Sequence, residues 1–306
     1  MLGSFDNSHK LNATGRPVMA TLITADMEGS LSAYVGSLGY QAIKTETLCE
    51  ALAVHFGIES LIGNKMVTLL PQSGVPVFMR LIEAPQAAPS SSAQAGWFAL
   101  ELCVQDVDSL YERLKTGDSF TPLAPPKALT ITDMVYPMQC VGPSGEILYL
   151  NEVRGDVMGL DMPIAACPVD HLFIAIMSLP DMDEGVKQYA GLLDMDVKER
   201  HEIPYKTINR IYELPLETMH KLVTLGGHNF VSLEVDQQPT GAGPAKLLSG
   251  QNITTGIFMV SFIVDDISQN SGSVKQFPML PYSGAQSGIN VGSAGERIEL
   301  ISLNEE

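Results

Sequence analysis

Basic residues are scarce in this chain of 306 residues. It has 18 Lys and Arg against 35 Asp and Glu, which gives a net charge of −17 and a pI near 4.6. Nucleic-acid binding needs a basic face, and anionic membranes attract basic segments, so neither partner is expected. We interpret the acidic balance as a source of solubility.

Cysteines and long apolar runs are also few. The four cysteines show no C-x-x-C spacing, which predicts buried free thiols in a reducing compartment. No apolar run is long enough to span a membrane. Residues 1–17 lack the apolar segment of a signal peptide and are predicted to form a flexible N-terminal arm. We therefore expect a cytoplasmic protein.

A short pattern occurs twice, about half a chain apart. An acidic segment followed by Tyr, Gly and Leu lies at residues 26–38 and again at residues 181–193. The offset is constant, since 181 − 26, 189 − 34 and 193 − 38 all equal 155. A fixed long offset is typical of duplication. Duplication allows one copy to keep chemistry while the other becomes scaffold.

Apolar alternation and helical spacing divide the chain into four units, each predicted as β-α-β-β-β. The strands predicted in the first unit are residues 18–24, 51–57, 66–70 and 75–82. The strands predicted in the third unit are residues 171–177, 197–202, 207–213 and 230–235. Residues 84–94 are rich in Pro, Ala and Ser, and residues 237–255 are rich in Gly and Pro. Both segments are predicted to be linkers within a pair of units.

Several motifs, in this order, resemble the vicinal oxygen chelate superfamily, which includes glyoxalase I, bleomycin-resistance proteins and extradiol dioxygenases. The motifs are residues 104–108, 142–145, 169–172 leading to Tyr189, 262–267 and 297–300. The resemblance covers nearly the whole chain after residue 17. It implies fold class α+β, with each of two tandem domains closing a pair of units into a cup-shaped mixed sheet. The domains expected are residues 18–153 and 169–306, joined by residues 154–168.

In this superfamily, metal ligands come from the first and last strands of each unit. The resemblance places four residues of the C-terminal domain there: His171, Glu234, Met259 and Glu299. The N-terminal residues at these places are Met19, approximately Glu83, Ala99 and Tyr149. The N-terminal domain has lost the ligand set, so we expect it to be scaffold and the C-terminal cup to be the active site.

Two interpretations of the C-terminal cup stay open. In one, His171, Glu234 and Glu299 hold a divalent metal ion. In the other, a His–Glu pair or an Arg297–Glu299 pair satisfies the buried polar groups without metal. Strand alternation places Phe173 and Arg297 on the inner face, where they are expected to line the substrate pocket.

Met259 separates the candidate reactions. It stands where dioxygenases carry the second His of their Fe(II) site, and a thioether suits such an ion poorly. Met259 is therefore expected to line the pocket. His201 is a candidate general base and Tyr205 a candidate donor to an oxyanion, with Glu299 as the third catalytic residue.

Three functions follow from the resemblance. The first is a lyase or isomerase of the glyoxalase type that acts on a small apolar or aromatic oxygenated molecule, with a metal ion polarising the substrate oxygens. The second is a metal-free protein that sequesters a ligand, as bleomycin-resistance proteins do. The third is an extradiol ring-cleaving dioxygenase, which the two-domain length suggests. The fold is compatible with a homodimer.

Overall fold

The computed structural model describes residues 13–91, 93–129, 132–157, 159–239, 253–267, 273–279 and 281–303. Over these residues the protein has sixteen strands and five α-helices, arranged as four units. The predicted α+β fold class is confirmed. Most of the predicted linker over residues 237–255 lies outside the described residues. None of the described helices is long and apolar enough to cross a membrane.

The first two units occupy the N-terminal half. The first unit contains β1 (Pro17–Thr24), α1 (Met27–Leu31), β2 (Gln41–Thr47), α2 (Glu50–Phe56), β3 (Lys65–Leu70) and β4 (Phe78–Glu83). A π-helical segment (Ser32–Ser37) continues α1, and a 3₁₀ turn (Glu59–Leu61) follows α2. The second unit contains β5 (Gly96–Val104), α3 (Val107–Leu114), β6 (Thr121–Pro122), β7 (Val135–Val141) and β8 (Ile147–Val153).

The last two units occupy the C-terminal half. The third unit contains β9 (Val169–Leu179), α4 (Met182–Leu192), β10 (Asp196–Pro204), α5 (Lys206–Ile211), β11 (Met219–Gly226) and β12 (Leu233–Gln237). The fourth unit contains β13 (Gly256–Ile263), β14 (Lys275–Gln276), β15 (Gln286–Val291) and β16 (Arg297–Ser302).

The repeated acidic segments begin helices. In the first three units, an Asp after the first strand accepts a hydrogen bond from the backbone N–H three residues later. These pairs are Asp26–Gly29, Asp106–Ser109 and Asp181–Glu184. Each Asp satisfies an N–H group that has no partner within the helix, and its negative charge is favourable at the helix N-terminus.

Strand pairing joins units from opposite halves of the chain. Sheet I combines the first and fourth units in the order β14-β15-β16-β13-β1-β4-β3-β2. Sheet II combines the second and third units in the order β10-β11-β12-β9-β5-β8-β7-β6. At the two centres, β1 runs antiparallel to β13, and β5 antiparallel to β9.

This pairing corrects the expectation that each tandem domain closes its own sheet. The central strands of all four units are apolar and buried, so local sequence does not specify which unit a strand will meet. The division of the chain at residues 154–168 stays a prediction. Each cup, however, takes one unit from each half.

Each sheet has one face in a shared core and one face in a cup. The shared core contains residues of both sheets with α3 and α4, and Trp97 of β5 stacks on Phe262 of β13 at 6.3 Å between ring centroids. Cup I, the other face of sheet I, is filled by α2, which contributes Phe56. Cup II, the other face of sheet II, is filled by α5, which contributes Ile208.

The two helices that fill the cups correct two strand predictions. Residues 51–57 and 207–213 were expected to be strands, but α2 and α5 cover most of them. In α2, Leu52 and Phe56 recur at the four-residue spacing of one helix face, and Gly57 ends the helix in the left-handed region at φ 67°.

Two Tyr–Glu pairs join units that are adjacent in sequence, and they explain the tyrosines of the repeat. Tyr34 Oη donates to Glu146 Oε1 over 2.7 Å, and Tyr189 Oη donates to Glu296 Oε1. Burial raises the pKa of Glu146 to about 7. A side chain at Gly142 would collide with the Glu146 carboxylate, which is why glycine is required there.

Residues 13–16 of the predicted flexible arm are packed against the fold. Gly15 N–H donates to Ile263 O over 2.8 Å. The guanidinium of Arg16 lies 3.9 Å from the centroid of the Phe230 ring and 3.5 Å from Asp161 Oδ2. Residues 1–12 lie outside the described part of the chain.

Candidate functional site

Cup I contains a row of polar side chains across three neighbouring strands. Strand register pairs Arg80 of β4 with Thr21 of β1 on one side and with Thr68 of β3 on the other. Residues opposite each other in register share a sheet face, so the three side chains lie side by side. All three are at most 1% exposed.

The donor groups of this row are not satisfied by the described residues. Arg80 Nε, Arg80 Nη1 and the hydroxyls of Thr21 and Thr68 are buried without a hydrogen-bond partner in that part of the chain. Arg80 Nη2 donates to Tyr282 Oη over 2.9 Å. The guanidinium carbon lies 5.1 Å from the ring centroids of both Phe56 and Tyr282. Because unsatisfied buried donors are costly, this arrangement is suited to an anionic or oxygen-rich ligand.

Glu299 lies on the opposite side of the same cup. It is fully buried on β16 and accepts hydrogen bonds from three hydroxyls. Tyr282 Oη donates over 2.7 Å and Ser287 Oγ over 2.6 Å to Glu299 Oε1, and Ser261 Oγ donates to Oε2. Tyr282 therefore bridges the Arg80 guanidinium and the Glu299 carboxylate. Burial raises the pKa of Tyr282, Arg80 lowers it and Glu299 raises it further.

His55 links Glu299 to the edge of the cup. Its Nε2 lies 2.8 Å from Ser287 Oγ, the hydroxyl that donates to Glu299. His55 is half-buried beside Phe277, with 5.2 Å between the ring centroids. Burial lowers the pKa of His55, and the negative charge of Glu299 opposes that shift. The chain His55–Ser287–Glu299 is thus a hydrogen-bonded route between the buried carboxylate and a more exposed ring.

Cup II contains a cluster of buried carboxyl groups instead. Burial and the neighbouring Glu234 raise the pKa of both Glu101 and Asp236. Burial also raises the pKa of Glu234, although Tyr205 lowers it by donating from Oη to Glu234 Oε1 over 3.1 Å. Asn151 Nδ2 donates to Glu101 Oε2. Glu101 and Glu234 thus accept from neutral donors, whereas both carboxyl oxygens of Asp236 are buried without a hydrogen-bond partner among the described residues.

The structure does not bring the three predicted metal ligands together. Glu299 lies in sheet I, whereas His171 and Glu234 lie in sheet II. Within sheet II, Glu234 is in register with Ile176, which follows His171 by five residues. Five residues of extended strand span about 16 Å. One ion cannot contact all three side chains in this arrangement.

The other predicted site residues are divided between the cups. Met259 and Arg297 lie in cup I beside Glu299, since Met259 is in register with Arg297 and Ser261 with Glu299. Phe173 packs in cup II, where Tyr205 contacts Glu234. His201 lies on β10, the edge strand of sheet II, with its Nε2 2.7 Å from Glu199 Oε2. His201 and Tyr205 therefore belong to the cup that does not contain Glu299.

Arg80 was missed by the sequence analysis, although the sequence carried a signal for it. It is the one charged residue within the apolar segment over residues 77–82. Register makes it the counterpart of Glu299, because Arg80 lies beside Thr21 of β1 as Glu299 lies beside Ser261 of β13. The expectation of Glu83 at this place was three residues too late.

We compared the donor set of each cup with the divalent metal that the resemblance implies. In cup I, the paired positions on first and last strands hold Thr21, Arg80, Ser261 and Glu299. A guanidinium beside a single carboxylate does not fit a divalent cation, since like charges repel. Among the described residues, three ligand atoms approach within 4.8 Å only in two groups, Cys103–Asp170–His171 and the more exposed Asp106–Asp108–Glu152. Neither group includes Glu299 or Glu234.

Comparisons with known proteins agree with the architecture. No family model matches the sequence, and no curated protein matches it. Among solved structures, glyoxalase I from Zea mays superimposes with a TM-score of 0.59 at 14% identity, covering 94% of this chain and 92% of that one. A putative dioxygenase from Bacillus subtilis subsp. subtilis str. 168 superimposes with a TM-score of 0.59 at 12% identity, covering 95% and 86%.

The protein has the vicinal oxygen chelate fold, as predicted from its motifs. Two eight-stranded mixed sheets, built from four units in one chain, give the tandem form of that fold. Similarity at these identities concerns the fold alone, because one fold hosts many reactions.

Proposed function

We propose that the protein is an enzyme of the lyase or isomerase class, which moves a proton on a small oxygenated anion held in cup I. The observation that carries this proposal is the pair of unsatisfied Arg80 N–H groups opposite the buried Glu299, with Tyr282 bonded to both. Arg80 then supplies a positive hydrogen-bond donor and Glu299 a carboxylate base within the same cup. This proposal assigns the chemistry to the cup formed by the first and fourth units, and not to a cup formed within the C-terminal half.

The chemistry of cup I selects a class of substrate. Arg80 Nε and Nη1 are charged donors without partners among the described residues, and the Thr21 and Thr68 hydroxyls lie beside the Arg80 side chain. A guanidinium with such donors suits the oxygens of a carboxylate. Apolar side chains fill much of the remaining cup, including Met19 and Met259. A small 2-oxo acid, or a 2-hydroxy ketone that bears a carboxylate, satisfies both features when it also has an apolar substituent.

The proposed step is proton abstraction next to a carbonyl group. The Glu299 carboxylate takes the proton, the C–H electron pair becomes the C=C bond of an enolate, and the carbonyl oxygen becomes an oxyanion. Arg80 stabilises that oxyanion through N–H groups that have no partner among the described residues. In a 2-hydroxy ketone, return of the proton to the former carbonyl carbon, with transfer of the hydroxyl proton to the oxyanion, gives an isomer. Departure of a leaving group with its electron pair from the carbon next to the enolate, as the carbonyl group re-forms, gives a lyase product. Ser287 and His55 connect Glu299 to solvent protons.

Exchange of substrate protons for deuterium tests this step directly. Proton NMR in D₂O would follow a panel of 2-oxo acids and 2-hydroxy ketones with wild type, Glu299→Gln and the matched cup II variant Glu234→Gln. We expect wild type and Glu234→Gln to catalyse exchange on at least one compound, and Glu299→Gln to be at least about 100-fold slower. Equal rates in wild type and Glu299→Gln, or a loss confined to Glu234→Gln, would reject cup I as the site.

The enclosed position of Arg80 also supports a second candidate, a protein that sequesters the same kind of anion without chemistry. Thermal stabilisation of wild type by a panel compound, lost in Arg80→Met and accompanied by no deuterium exchange, would favour sequestration. The extradiol dioxygenase hypothesis is not carried forward, because no group of two His and one carboxylate with converging ligand atoms occurs among the described residues.

A further inference from the structure

A group of metal-binding side chains lies away from the polar clusters of both cups, where the end of β5 meets the start of β9. Cys103 Sγ lies 3.7 Å from His171 Nδ1, and Asp170 Oδ1 lies 3.1 Å from the same nitrogen. The three ligand atoms are all within 4.8 Å of one another. Cys103 and Asp170 are fully buried, and His171 is 8% exposed.

These separations match the edges of a tetrahedral zinc site. With Zn–S near 2.3 Å and Zn–N or Zn–O near 2.0–2.1 Å, tetrahedral angles require about 3.6 Å between S and N and about 3.3 Å between N and O. The distances from Cys103 and Asp170 to the His171 nitrogen differ from these values by about 0.2 Å or less. Thiolate, imidazole and carboxylate are the three ligand types that zinc takes in proteins.

The Asp170 carboxylate accepts hydrogen bonds from neighbouring groups, as a carboxylate that ligates a metal ion usually does. Ser73 Oγ donates to Asp170 Oδ1 over 2.6 Å, and Ala166 N–H donates to Asp170 Oδ2 over 2.7 Å. Outer-shell donors of this kind orient ligating carboxylates. The nearby Cys167 is not a member of this group, because its Sγ donates to Val169 O over 3.1 Å.

We propose that Cys103, Asp170 and His171 bind a zinc ion through one ligand atom each. The Cys103 thiol would lose its proton on binding. Ser73 lies in the first unit, and Tyr40 of that unit donates to Asp170 O over 2.6 Å. The ion would therefore stabilise the contact between the first unit, in sheet I, and the central strands of sheet II. This site is independent of the chemistry proposed for cup I.

Cobalt(II) is the probe that reports thiolate ligation at this site. Metal-free wild type titrated with Co²⁺ should bind about one ion per chain and develop a thiolate-to-cobalt charge-transfer absorption. Cys103→Ser should lose that absorption and bind zinc at least about tenfold more weakly. The matched control is Cys140→Ser, which removes another buried free thiol of sheet II, on β7, and should behave as wild type.

Two further variants keep the result interpretable. His171→Gln leaves every thiol in place and should also weaken zinc binding, with circular dichroism used to verify folding of both variants. Glu299→Gln should retain the cobalt absorption, so failure of the cup I proposal and failure of this one are distinguishable. Absence of the absorption in wild type, or its persistence in Cys103→Ser, would overturn the proposal and leave a metal-free His–Asp pair beside a thiol.

Discussion

The two cups have the same architecture but differ in the charged side chains that they bury. In cup I, the last-strand positions hold Arg80 and Glu299, a cation and an anion joined through Tyr282. In cup II, the equivalent positions hold Tyr149 and Glu234. Tyr149 of β8 is in register with Glu101 of β5, just as Arg80 of β4 is in register with Thr21 of β1. Among the described residues, cup II thus contains buried carboxyl groups but no buried guanidinium. Glu101 is in register with Tyr149 where Thr21 is in register with Arg80, so both members of this pair differ between the cups. The comparison shows that a few exchanges at duplicated positions change the charge of a buried cup.

Removing the cation should cause the largest change. Arg80→Met leaves Glu299 buried without its cationic partner, and we expect a loss of about 3 kcal/mol in the free energy of unfolding. The double variant Arg80→Met/Glu299→Gln should be less destabilised than the sum of the single variants, because the uncompensated carboxylate is gone. Urea unfolding of the four proteins completes this cycle. Strict additivity would show that Arg80 and Glu299 are not coupled.

Removing a carboxyl group from cup II should increase the free energy of unfolding at neutral to alkaline pH, whereas removing Arg80 from cup I should decrease it. The pKa of Asp236 is raised by burial and by Glu234, so the folded protein binds this proton more tightly than the unfolded chain does. Its contribution to stability is therefore greatest at low pH and declines as pH rises above the ordinary Asp value. We expect Asp236→Asn to be more stable than wild type at pH 8 by about 1–2 kcal/mol and to lose that advantage near pH 4.

The matched control for this pH effect is Asp118→Asn, an exposed position in the second unit. Its stability relative to wild type should stay constant within about 0.5 kcal/mol between pH 4 and 8. If urea unfolding shows that the stability of Asp236→Asn relative to wild type is also constant between pH 4 and 8, Asp236 does not have a raised pKa in the folded protein and the proposed difference between the cups is wrong.

The smallest effect is expected where the two sheets are joined. Tyr34→Phe and Tyr189→Phe each remove one hydrogen bond to a buried Glu, and each should lower the free energy of unfolding by about 1 kcal/mol. Tyr111→Phe is the control, a half-buried tyrosine on α3. A much larger loss for one of the pair than for the other would show that the two halves are not equivalent, despite the constant spacing of their tyrosines.

The sequence predicted the fold better than it predicted the site. Asp26 and Asp181 mark helix starts, and Tyr34 and Tyr189 mark the inter-unit contacts, so the repeat revealed the four units. The pairing of β1 with β13 was not predictable, because the central strands of all four units are similarly apolar and their sequences do not distinguish one pairing partner from another. The short helices α2 and α5 were not predicted. Their apolar residues pack inside the cups, and a short apolar segment of this kind has the sequence pattern of a buried strand.

Half of the proposed site was found from the sequence for an identifiable reason. Glu299, Met259 and Arg297 lie on strands whose motifs resemble the family, and they do share cup I. Arg80 and His55 come from the first unit, which the sequence analysis had assigned to a scaffold. Their proximity to Glu299 depends on contacts between residues more than 200 positions apart, which local patterns do not encode.

The crossed pairing of units sets an order of completion during synthesis. Cup II can close as soon as β12 is made, because both of its units lie between residues 96 and 237. The first unit must wait, with the inner edge of β1 unpaired, until β13 to β16 emerge. Contacts this far apart in sequence form slowly. A chain that stops before β16 therefore contains no finished cup I and cannot perform the chemistry proposed for it.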